Sequence, residues 1–498
     1  MKTKKIISWA VALCMGVMLH SCDLDQKVFS SLTNANFPQT VEDIDALVVG
    51  MYANFKANSG GMWDDSNGGW AMPIYAAGDG WWAYSEFTSD ECRHQGNRLY
   101  DFNWAGAWDT FMTYTISRNI TRCTFILDQL EKVGGLPEAA KATKIAEAKT
   151  LRAWLMFCFY DLYGPVSCVL EPEELSNIGY TPRPTKETYF NRMVSDLQES
   201  LPYLYDKTNG TGNWGRVNKG LATMLLMKAY MNDHQYDKAL PYAESMKTMG
   251  YKLSDDYKDI FINEMNDETV WAIPSGELAG NEYFFYAFQP TFGKDFEYKS
   301  GANRWGGYLM PWEFYDTYDK ADARLEVIFD SYKSADGTLY TRPGGGGASD
   351  DRIQQGAVPV KYLCNDSEKY SNGNTHIVAF RYADVLLSLA EIENELNGPT
   401  DKALGYLKQI TDRVGVTHTI PADIQSSKEK FKEFLLMERG RELFMEGWRR
   451  QDLIRFGKYI EFARNRGCTA AKDHMVLFPI PPKVITESGG VIEQNPGY

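Results

Sequence analysis

Two segments of this sequence repeat one pattern of paired helices, and that repeat constrains the fold more than any other feature. Residues 225–250 and 386–415 each contain a first helix rich in small residues, a polar turn, and a second helix that begins with Asp-Lys-Ala-Leu. Small residues at such positions let two antiparallel helices approach closely, as they do in tetratricopeptide repeats. The repeat predicts a helical scaffold in which neighbouring helix pairs stack.

Helical spacing of apolar residues extends over much of the remaining chain. It occurs at 41–57, 104–133, 137–163, 185–204, 215–232, 235–249, 379–397, 400–415 and 427–456. Residues 251–377 differ, because they contain aromatic runs and a glycine-rich loop but few helical periods. We predict a mostly α fold: a tetratricopeptide-like α-α superhelix at about 41–250 and 379–460, with a long insertion of irregular loops and short strands at about 251–377.

The first 21 residues have the form of a bacterial export signal. Three lysines precede an apolar run from Ile6 to Leu19, which is too short to cross a bilayer. The run ends in Leu-His-Ser-Cys, which resembles the cleavage box of bacterial lipoproteins. We therefore expect Cys22 to be acylated, to begin the mature chain of residues 22–498 and to anchor it to a membrane. Ordinary cleavage that leaves Cys22 as a free thiol is the alternative.

Charge and cysteine content exclude several classes of function. The chain has 52 Lys and Arg against 66 Asp and Glu, a net charge of −14, which disfavours nucleic acid and anionic lipid surfaces as partners. Its eight cysteines include no C-x-x-C pair, and no H-E-x-x-H, G-x-S-x-G or calcium-loop pattern occurs. We predict neither a metal nor a cofactor.

Tryptophan is concentrated in one stretch before the long helices. Six of the 13 tryptophans lie between residues 63 and 108, which favours a site there. Trp81 and Trp82 follow Gly-Asp-Gly in a segment without helical spacing, and Asp79 and Tyr84 flank them. An indole can cover the C–H face of a sugar ring while polar side chains bond its hydroxyls, so we expect at least one of this pair to contact ligand. Trp104 and Trp108, four residues apart, are interpreted as core residues.

A second candidate site lies in the insertion. Trp305 is followed by two glycines and preceded by Asn303 and Arg304, which can bond sugar hydroxyls. Tyr283 belongs to a Tyr-Phe-Phe-Tyr run in which alternate side chains of a strand would face a ligand. We predict that these four residues take part in ligand binding.

The segment 438–455 carries a cluster of four acidic residues and four arginines that could be mistaken for a catalytic centre. Its charges recur at spacings of three and four, which places opposite charges on one helix face. We interpret the cluster as part of the scaffold. Its members are Glu438, Arg441, Glu442, Glu446, Arg449, Arg450, Asp452 and Arg455.

Five stretches, in this order, together resemble one family. They are SCDLDQKVFSSLT, AEAKTLRAWLMFCFYDLYGPV, RYADVLLSLAEIENELNG, ERGRELFMEGWRRQDLIRFG, and the closing FPIPPKVI with QNPGY. The chain is similar to the SusD-like (SusD/RagB) outer-membrane nutrient-binding lipoproteins. This resemblance implies four tetratricopeptide-like helix pairs that support a ligand face of loops and insertion. It also implies that the Trp81–Trp82 loop and Trp305 correspond to aromatic positions of the family's ligand site.

The resemblance further implies a location and a partner. Members sit on the outside of the outer membrane above a SusC-like TonB-dependent transporter and deliver captured oligosaccharide or polysaccharide to it. The leading hypothesis is a non-catalytic glycan-binding lipoprotein of this kind. A peptide-binding lipoprotein of the same uptake type, a glycoside hydrolase using paired carboxylates, and a purely structural helical assembly protein are the alternatives.

Overall fold

The computed structural model describes most of the chain beyond the signal segment. It covers residues 37–56, 62–64, 69–71, 73–76, 78, 80–94, 99–104, 112–176, 179–263, 265–274, 308–333, 337–348, 353–362, 376–416 and 421–498, with backbone alone at 62–64, 69–71 and 112. Helices dominate this part of the chain, as predicted.

The α-helices differ widely in length. They are α1 (Val41–Tyr52), α2 (Trp81–Phe87), α3 (Asn119–Lys132), α4 (Glu138–Tyr163), α5 (Lys186–Ser200), α6 (Lys219–Asn232), α7 (Tyr236–Met246), α8 (Asp259–Ile262), α9 (Trp312–Tyr315), α10 (Tyr382–Asn397), α11 (Asp401–Arg413), α12 (Ala422–Gln425), α13 (Lys428–Leu443), α14 (Arg449–Arg455), α15 (Tyr459–Asn465) and α16 (Pro482–Glu487). Short 3₁₀ segments occur at Ala53–Phe55, Met112–Arg118, Pro172–Ser176, Ala323–Val327 and Asp473–Val476.

The strands are short and antiparallel. They are β1 (Met62–Asp64), β2 (Gly69–Ala71), β3 (Arg93–His94), β4 (Thr269–Ile273), β5 (Tyr308–Pro311), β6 (Ile328–Phe329), β7 (Ser331–Lys333), β8 (Leu339–Thr341), β9 (Gly356–Pro359) and β10 (Ile377–Arg381). Strands β1 with β2, β4 with β10, and β7 with β8 form pairs, and a four-stranded sheet has the order β3-β5-β9-β6.

The two segments with the repeated tetrapeptide form the predicted helix pairs. Helix α6 packs on α7 and α10 packs on α11, while α7 also contacts α10 and so joins the two pairs. The alanines of the tetrapeptides, Ala239 and Ala403, are completely buried at these contacts. The side chain of Asn218 caps α6 and that of Thr400 caps α11 by accepting a backbone N–H three residues on, as residues at helix N-termini commonly do. The tetratricopeptide-like prediction is confirmed.

Several element boundaries differ from the sequence-based expectation. Residues 81–87 form a helix, although the sequence shows no helical spacing of apolar residues there. All seven side chains are buried, so the helix has no exposed polar face that would reveal that spacing. Strand β10 occupies 377–381, where a helix beginning at 379 was expected. The long helix expected at 427–456 is broken at 444–448, where Met445 and Gly447 adopt φ values of 57° and 85°.

The insertion has the short strands that were predicted for it. It contributes three strands of the four-stranded sheet and the β7–β8 hairpin, and it starts and ends beside the β4–β10 pair. Among the described residues, none of the helices has both the length and the apolar character needed to cross a bilayer.

Candidate functional site

The paired tryptophans at 81 and 82 are buried inside the body of the protein. Trp81 is 0% exposed and Trp82 is 1% exposed. The Trp81 indole N–H donates to Oδ2 of Asp161 at 2.8 Å, and its ring lies edge-on to Trp448 with centroids 5.2 Å apart. Trp82 packs on Tyr308 at a centroid distance of 5.8 Å. These rings have no open face on which a sugar could stack.

Gly447 explains why the two large rings fit side by side. A Cβ at Gly447 would lie 2.9 Å from a ring carbon of Trp81 and 2.9 Å from one of Trp82, so both indoles close on its bare backbone. Tyr84 is also 0% exposed and packs against Phe478. The prediction that Trp81 or Trp82, with Tyr84, contacts ligand is therefore wrong, because helix α2 turns all three side chains into the core.

Of the other tryptophans of the cluster, one lies in the core, two are placed by their backbone alone, and one lies outside the described residues. Trp104 is buried and stacks between Phe102 and Phe478, with centroid distances of 5.1 and 4.4 Å, which confirms its interpretation as a core residue. Trp63 and Trp70 are backbone partners across the β1–β2 hairpin. Trp108 lies outside the described residues.

The remaining predicted site residues stay predictions. Asp79, Tyr283, Asn303, Arg304 and Trp305 lie outside the described residues. Cys22, the predicted lipidation site, also lies outside them.

The charged segment 438–455 lies in the interior, as part of a network that spans several elements. The guanidinium of Arg381, which is fully buried, bonds the carboxylates of Glu268, Glu442 and Glu446. Burial alone would raise the pKa of Glu442, but the surrounding arginines lower it below its usual range. Further buried pairs join Arg324 to Glu438, Arg439 to Asp384 and Asp452, Arg449 to Asp90, Arg450 to Asp161, and Arg455 to Glu391.

This burial confirms that the cluster belongs to the scaffold. Several of these cations face carboxylates from distant segments, so the network links α10, α13 and α14 to strand β10 and to the insertion. Removing one partner of such a buried pair leaves an uncompensated charge, which costs about 3–5 kcal/mol. The cluster can fix the arrangement of the scaffold, but it has no surface on which a ligand could be processed.

Glu86 and Glu91 form a buried pair of acidic side chains beside Trp81 and Trp82. Glu86 accepts the backbone N–H of Gly447 at 2.6 Å, and Glu91 accepts that of Met445 at 3.0 Å. Burial raises the pKa of Glu86 to about 7 and that of Glu91 well above its usual range. Paired carboxyls with raised pKa values resemble the acid pair of a glycoside hydrolase, but both are 0% exposed and cannot reach a substrate.

Partly exposed tryptophan is rare in the described chain. Of the eight tryptophans whose side chains are described, Trp81, Trp82, Trp104, Trp154, Trp271 and Trp448 are buried, and Trp214 and Trp312 are partly exposed. Of the two partly exposed ones, Trp312 lies in the insertion and Trp214 lies next to it. They are the described residues whose surface chemistry best matches a sugar face.

Trp312 begins helix α9 within the insertion and lies in a polar setting. The guanidinium of Arg342 covers its ring at 4.4 Å from the centroid, and Tyr315 meets it edge-on at 5.4 Å. Arg342 is fixed in turn by two bonds to Asp316, of 2.8 and 3.2 Å. Burial, with Asp330 nearby, raises the pKa of Tyr315 to about 12, so its hydroxyl stays protonated at neutral pH. The result is an aromatic surface edged by groups that bond hydroxyls.

Trp214 lies in the loop between α5 and α6. Its indole N–H donates to Nε2 of His376 at 3.3 Å, and the two rings meet edge-on with centroids 5.6 Å apart. Sequence reasoning missed this residue, although Gly212-Asn213-Trp214-Gly215 has the same pattern of a lone Trp, a preceding Asn and a flanking Gly that singled out Trp305. That pattern could have identified Trp214 as a candidate from the sequence.

Metal and thiol chemistry find no support in the described residues. No group of three or more His, Cys, Asp and Glu side chains is arranged there to hold a metal ion. The described cysteines, Cys92, Cys123, Cys158, Cys168 and Cys468, are buried free thiols. Burial raises the pKa of the Cys158 thiol well above its usual range, which keeps it unreactive.

Comparison with known proteins identifies one family. A model of the SusD family matches residues 233–498. The chain is 24% identical over 526 residues to SusD-like protein P25 of Formosa agariphila, covering 96% of this chain and 97% of that protein. It is also 24% identical over 487 residues to the starch-binding protein SusD of Bacteroides thetaiotaomicron, covering 83% of this chain and 84% of that protein.

The fold matches solved structures over nearly its whole length. Surface glycan-binding protein A from Bacteroides thetaiotaomicron, solved in complex with laminarihexaose, superposes with a TM-score of 0.72 at 21% identity. The match covers 91% of this chain and 99% of that one. At this identity, the likeness concerns the fold.

Proposed function

The chain belongs to the SusD family, and from that premise we propose that it is a non-catalytic, cell-surface lipoprotein that binds oligosaccharide or polysaccharide. Cys22 carries the lipid that anchors it on the outer face of the outer membrane. The bound glycan is delivered to a SusC-like TonB-dependent transporter. The domain extends from residue 22 to residue 498.

Two relatives support glycan as the ligand class. One is named as a starch-binding protein, and one was solved with laminarihexaose bound. Starch and laminarin are both glucans, but their linkages differ, so the two relatives together indicate a sugar polymer without selecting its linkage.

The observation that carries the proposal is the distribution of tryptophan. Buried indoles fill the helical body, whereas Trp312 in the insertion and Trp214 next to it are partly exposed. Covering one such ring contributes only about 1–2.5 kcal/mol before ordering costs, so several aromatic contacts are needed for useful affinity. We propose that Trp305, Tyr283, Asn303, Arg304 and Asp79 supply further contacts to the same glycan.

Affinity electrophoresis of the mature chain in gels containing laminarin, soluble starch, xylan, pectin or mucin tests this proposal. We expect at least one polysaccharide to retard the wild type, and Trp305→Ala and Trp312→Ala to reduce the retardation. Phe125→Ala is the matched control, because Phe125 is an aromatic residue on helix α3 that is 43% exposed and lies on the scaffold. Retardation unchanged in both tryptophan variants would refute the site.

The alternatives make different predictions in the same samples. A peptide-binding protein would bind casein peptides and no polysaccharide. A glycoside hydrolase would release new reducing ends from the polysaccharide that retards it, and we expect none. Loss of membrane association in a Cys22→Ala variant, checked by fractionation, tests the lipid anchor.

A further inference from the structure

The loop that carries Trp214 lies where the insertion joins the helical body. Pro274 directly follows β4 and His376 directly precedes β10, so these two residues mark the outgoing and the returning end of the long segment between the paired strands β4 and β10. A Cβ on Gly215 would lie 2.3 Å from Cγ of Pro274, so the loop packs closely on the outgoing end. The bond from Trp214 to His376 ties the same loop to the returning end. Trp214 therefore lies at the base of the insertion.

Core packing does not account for Trp214. The other described tryptophans either belong to the hydrophobic core or pack against it, and Trp312 is in the second group. Trp214 is in neither group, and the residue is partly exposed. Its indole is therefore available for a ligand that presents an apolar face to it.

The ring is nevertheless held in one orientation. Its N–H is bonded to His376, and the loop backbone is closed by hydrogen bonds from Trp214 N to Thr211 O at 3.2 Å and from Arg216 N to Asn213 O at 3.0 Å. Gly215 has a φ of 84°, which favours glycine, and its carbonyl accepts the indole N–H of Trp271 at 3.2 Å. A ring fixed before binding loses little conformational entropy when a ligand settles on it.

The chemistry of this position suits a sugar ring. The indole offers a flat apolar face, and the adjacent Asn213 is exposed and carries a carboxamide that can donate to one hydroxyl and accept from another. His376 uses Nε2 to accept from Trp214, so that nitrogen carries no proton in this arrangement.

We propose that Trp214 stacks on a pyranose ring of the bound glycan, and that His376 is a positioning residue that holds the indole for it. This subsite extends the glycan site onto the loop between α5 and α6 and rests on the proposed function. Its ligand is one sugar unit of the same chain that the insertion binds.

The test uses the polysaccharide of the five-gel panel that retards the wild type most strongly. We expect Trp214→Ala to weaken binding about tenfold, the loss that covering one ring predicts, and Trp214→Phe to weaken it less than about threefold because a flat ring remains. His376→Leu removes the acceptor and should weaken binding by about threefold, whereas His376→Gln offers an amide oxygen and should restore it. Phe125→Ala should bind as the wild type does.

A spectroscopic measurement separates contact from an indirect structural effect. The polysaccharide should shield part of the wild-type tryptophan fluorescence from acrylamide, and that shielded component should shrink in Trp214→Phe. If the wild type and Trp214→Ala bind the polysaccharide equally well, the subsite is overturned and the proposed function stays intact. If none of the five polysaccharides retards the wild type, the proposed function fails and the subsite fails with it.

Discussion

Two glycine-flanked tryptophan segments of this protein differ in the exposure of their side chains. Gly80-Trp81-Trp82 is sealed in the core, whereas Asn213-Trp214-Gly215 keeps an indole at the surface. Both segments have the same local character, with a glycine beside a large ring and no long helix around it. The difference shows that neighbouring residues in the chain do not decide whether such a ring is covered.

Distant partners decide it. Trp81 meets Asp161 from α4, Gly447 from the loop after α13 and Trp448 from the same loop, and these enclose it. Within the described part of the chain, Trp214 bonds the distant His376 through its indole N–H and stays partly exposed. The two glycines are also needed for different reasons. A Cβ on Gly80 would lie 2.5 Å from the carbonyl oxygen of Pro73, whereas Gly215 has a positive φ and a Cβ on it would clash with Pro274.

Truncating the buried ring should have the largest effect. Trp81→Ala removes a fully buried indole and the hydrogen bond to Asp161, and we expect the free energy of unfolding to fall by about 3–5 kcal/mol. Urea unfolding followed by circular dichroism measures this. A loss below about 1 kcal/mol would contradict the enclosure described for Trp81.

Gly447 allows a sharper test of the same enclosure. Gly447→Ala combines a strained φ of 85° with a Cβ that is 2.9 Å from both indoles, so we expect a loss of about 2–3 kcal/mol. Gly457→Ala is the matched control, because Gly457 has a φ of 71° and open space around its Cα. It should cost about 1 kcal/mol, the backbone contribution alone. Equal losses in the two variants would mean that the indoles do not close on Gly447.

Much of the fold could be predicted from the sequence, because local patterns specify it. The tetrapeptides at 237–240 and 401–404 located two helix pairs, since the spacing of small residues acts within one or two turns of a helix. The break at 444–448 could not be predicted in this way. Its donors Met445 N and Gly447 N are satisfied by acids more than 350 positions earlier in the chain.

The site was less predictable for the same physical reason. The prediction for Trp81 and Trp82 rested on the clustering of tryptophans in the sequence and on the family resemblance, but exposure depends on which distant segments pack on a ring. Trp104 was correctly interpreted as a core residue, while the helical spacing with Trp108 on which that interpretation rested stays a prediction. Trp305 and its neighbours remain predictions, and Trp214 was overlooked despite having the same flanking pattern.

The pH dependence of stability gives a further test of the buried region around Trp81 and Trp82. Burial raises the pKa of Glu86 from 4.5 to about 7, so the folded protein binds its proton more tightly than the unfolded chain does. A raised pKa gives stability that is present below pH 4.5 and is lost as the pH rises towards 7. We expect the free energy of unfolding to fall by about 2 kcal/mol between pH 5 and pH 7.5.

Glu86→Gln should make that profile shallower, because a glutamine cannot titrate but still accepts the N–H of Gly447, while Glu91 keeps a pKa that burial raises. Glu461→Gln is the control, since Glu461 is an exposed carboxylate whose side chain is 51% accessible. A profile that is equally steep in Glu86→Gln and in the wild type would assign the pH dependence to other groups.

The smallest effect on stability is expected where the effect on binding is largest. Trp214→Ala removes a ring that lies outside the core, so the loss is limited to one hydrogen bond to His376 and some surface contact, about 0.5–1 kcal/mol. Urea unfolding of Trp214→Ala and Trp81→Ala in parallel measures the contrast. If Trp214→Ala lost as much stability as Trp81→Ala, its weaker glycan binding would follow from disruption of the insertion's base rather than from a missing sugar contact. A stable variant with weakened binding would leave ring stacking as the cause, because the rest of the surface would be unchanged.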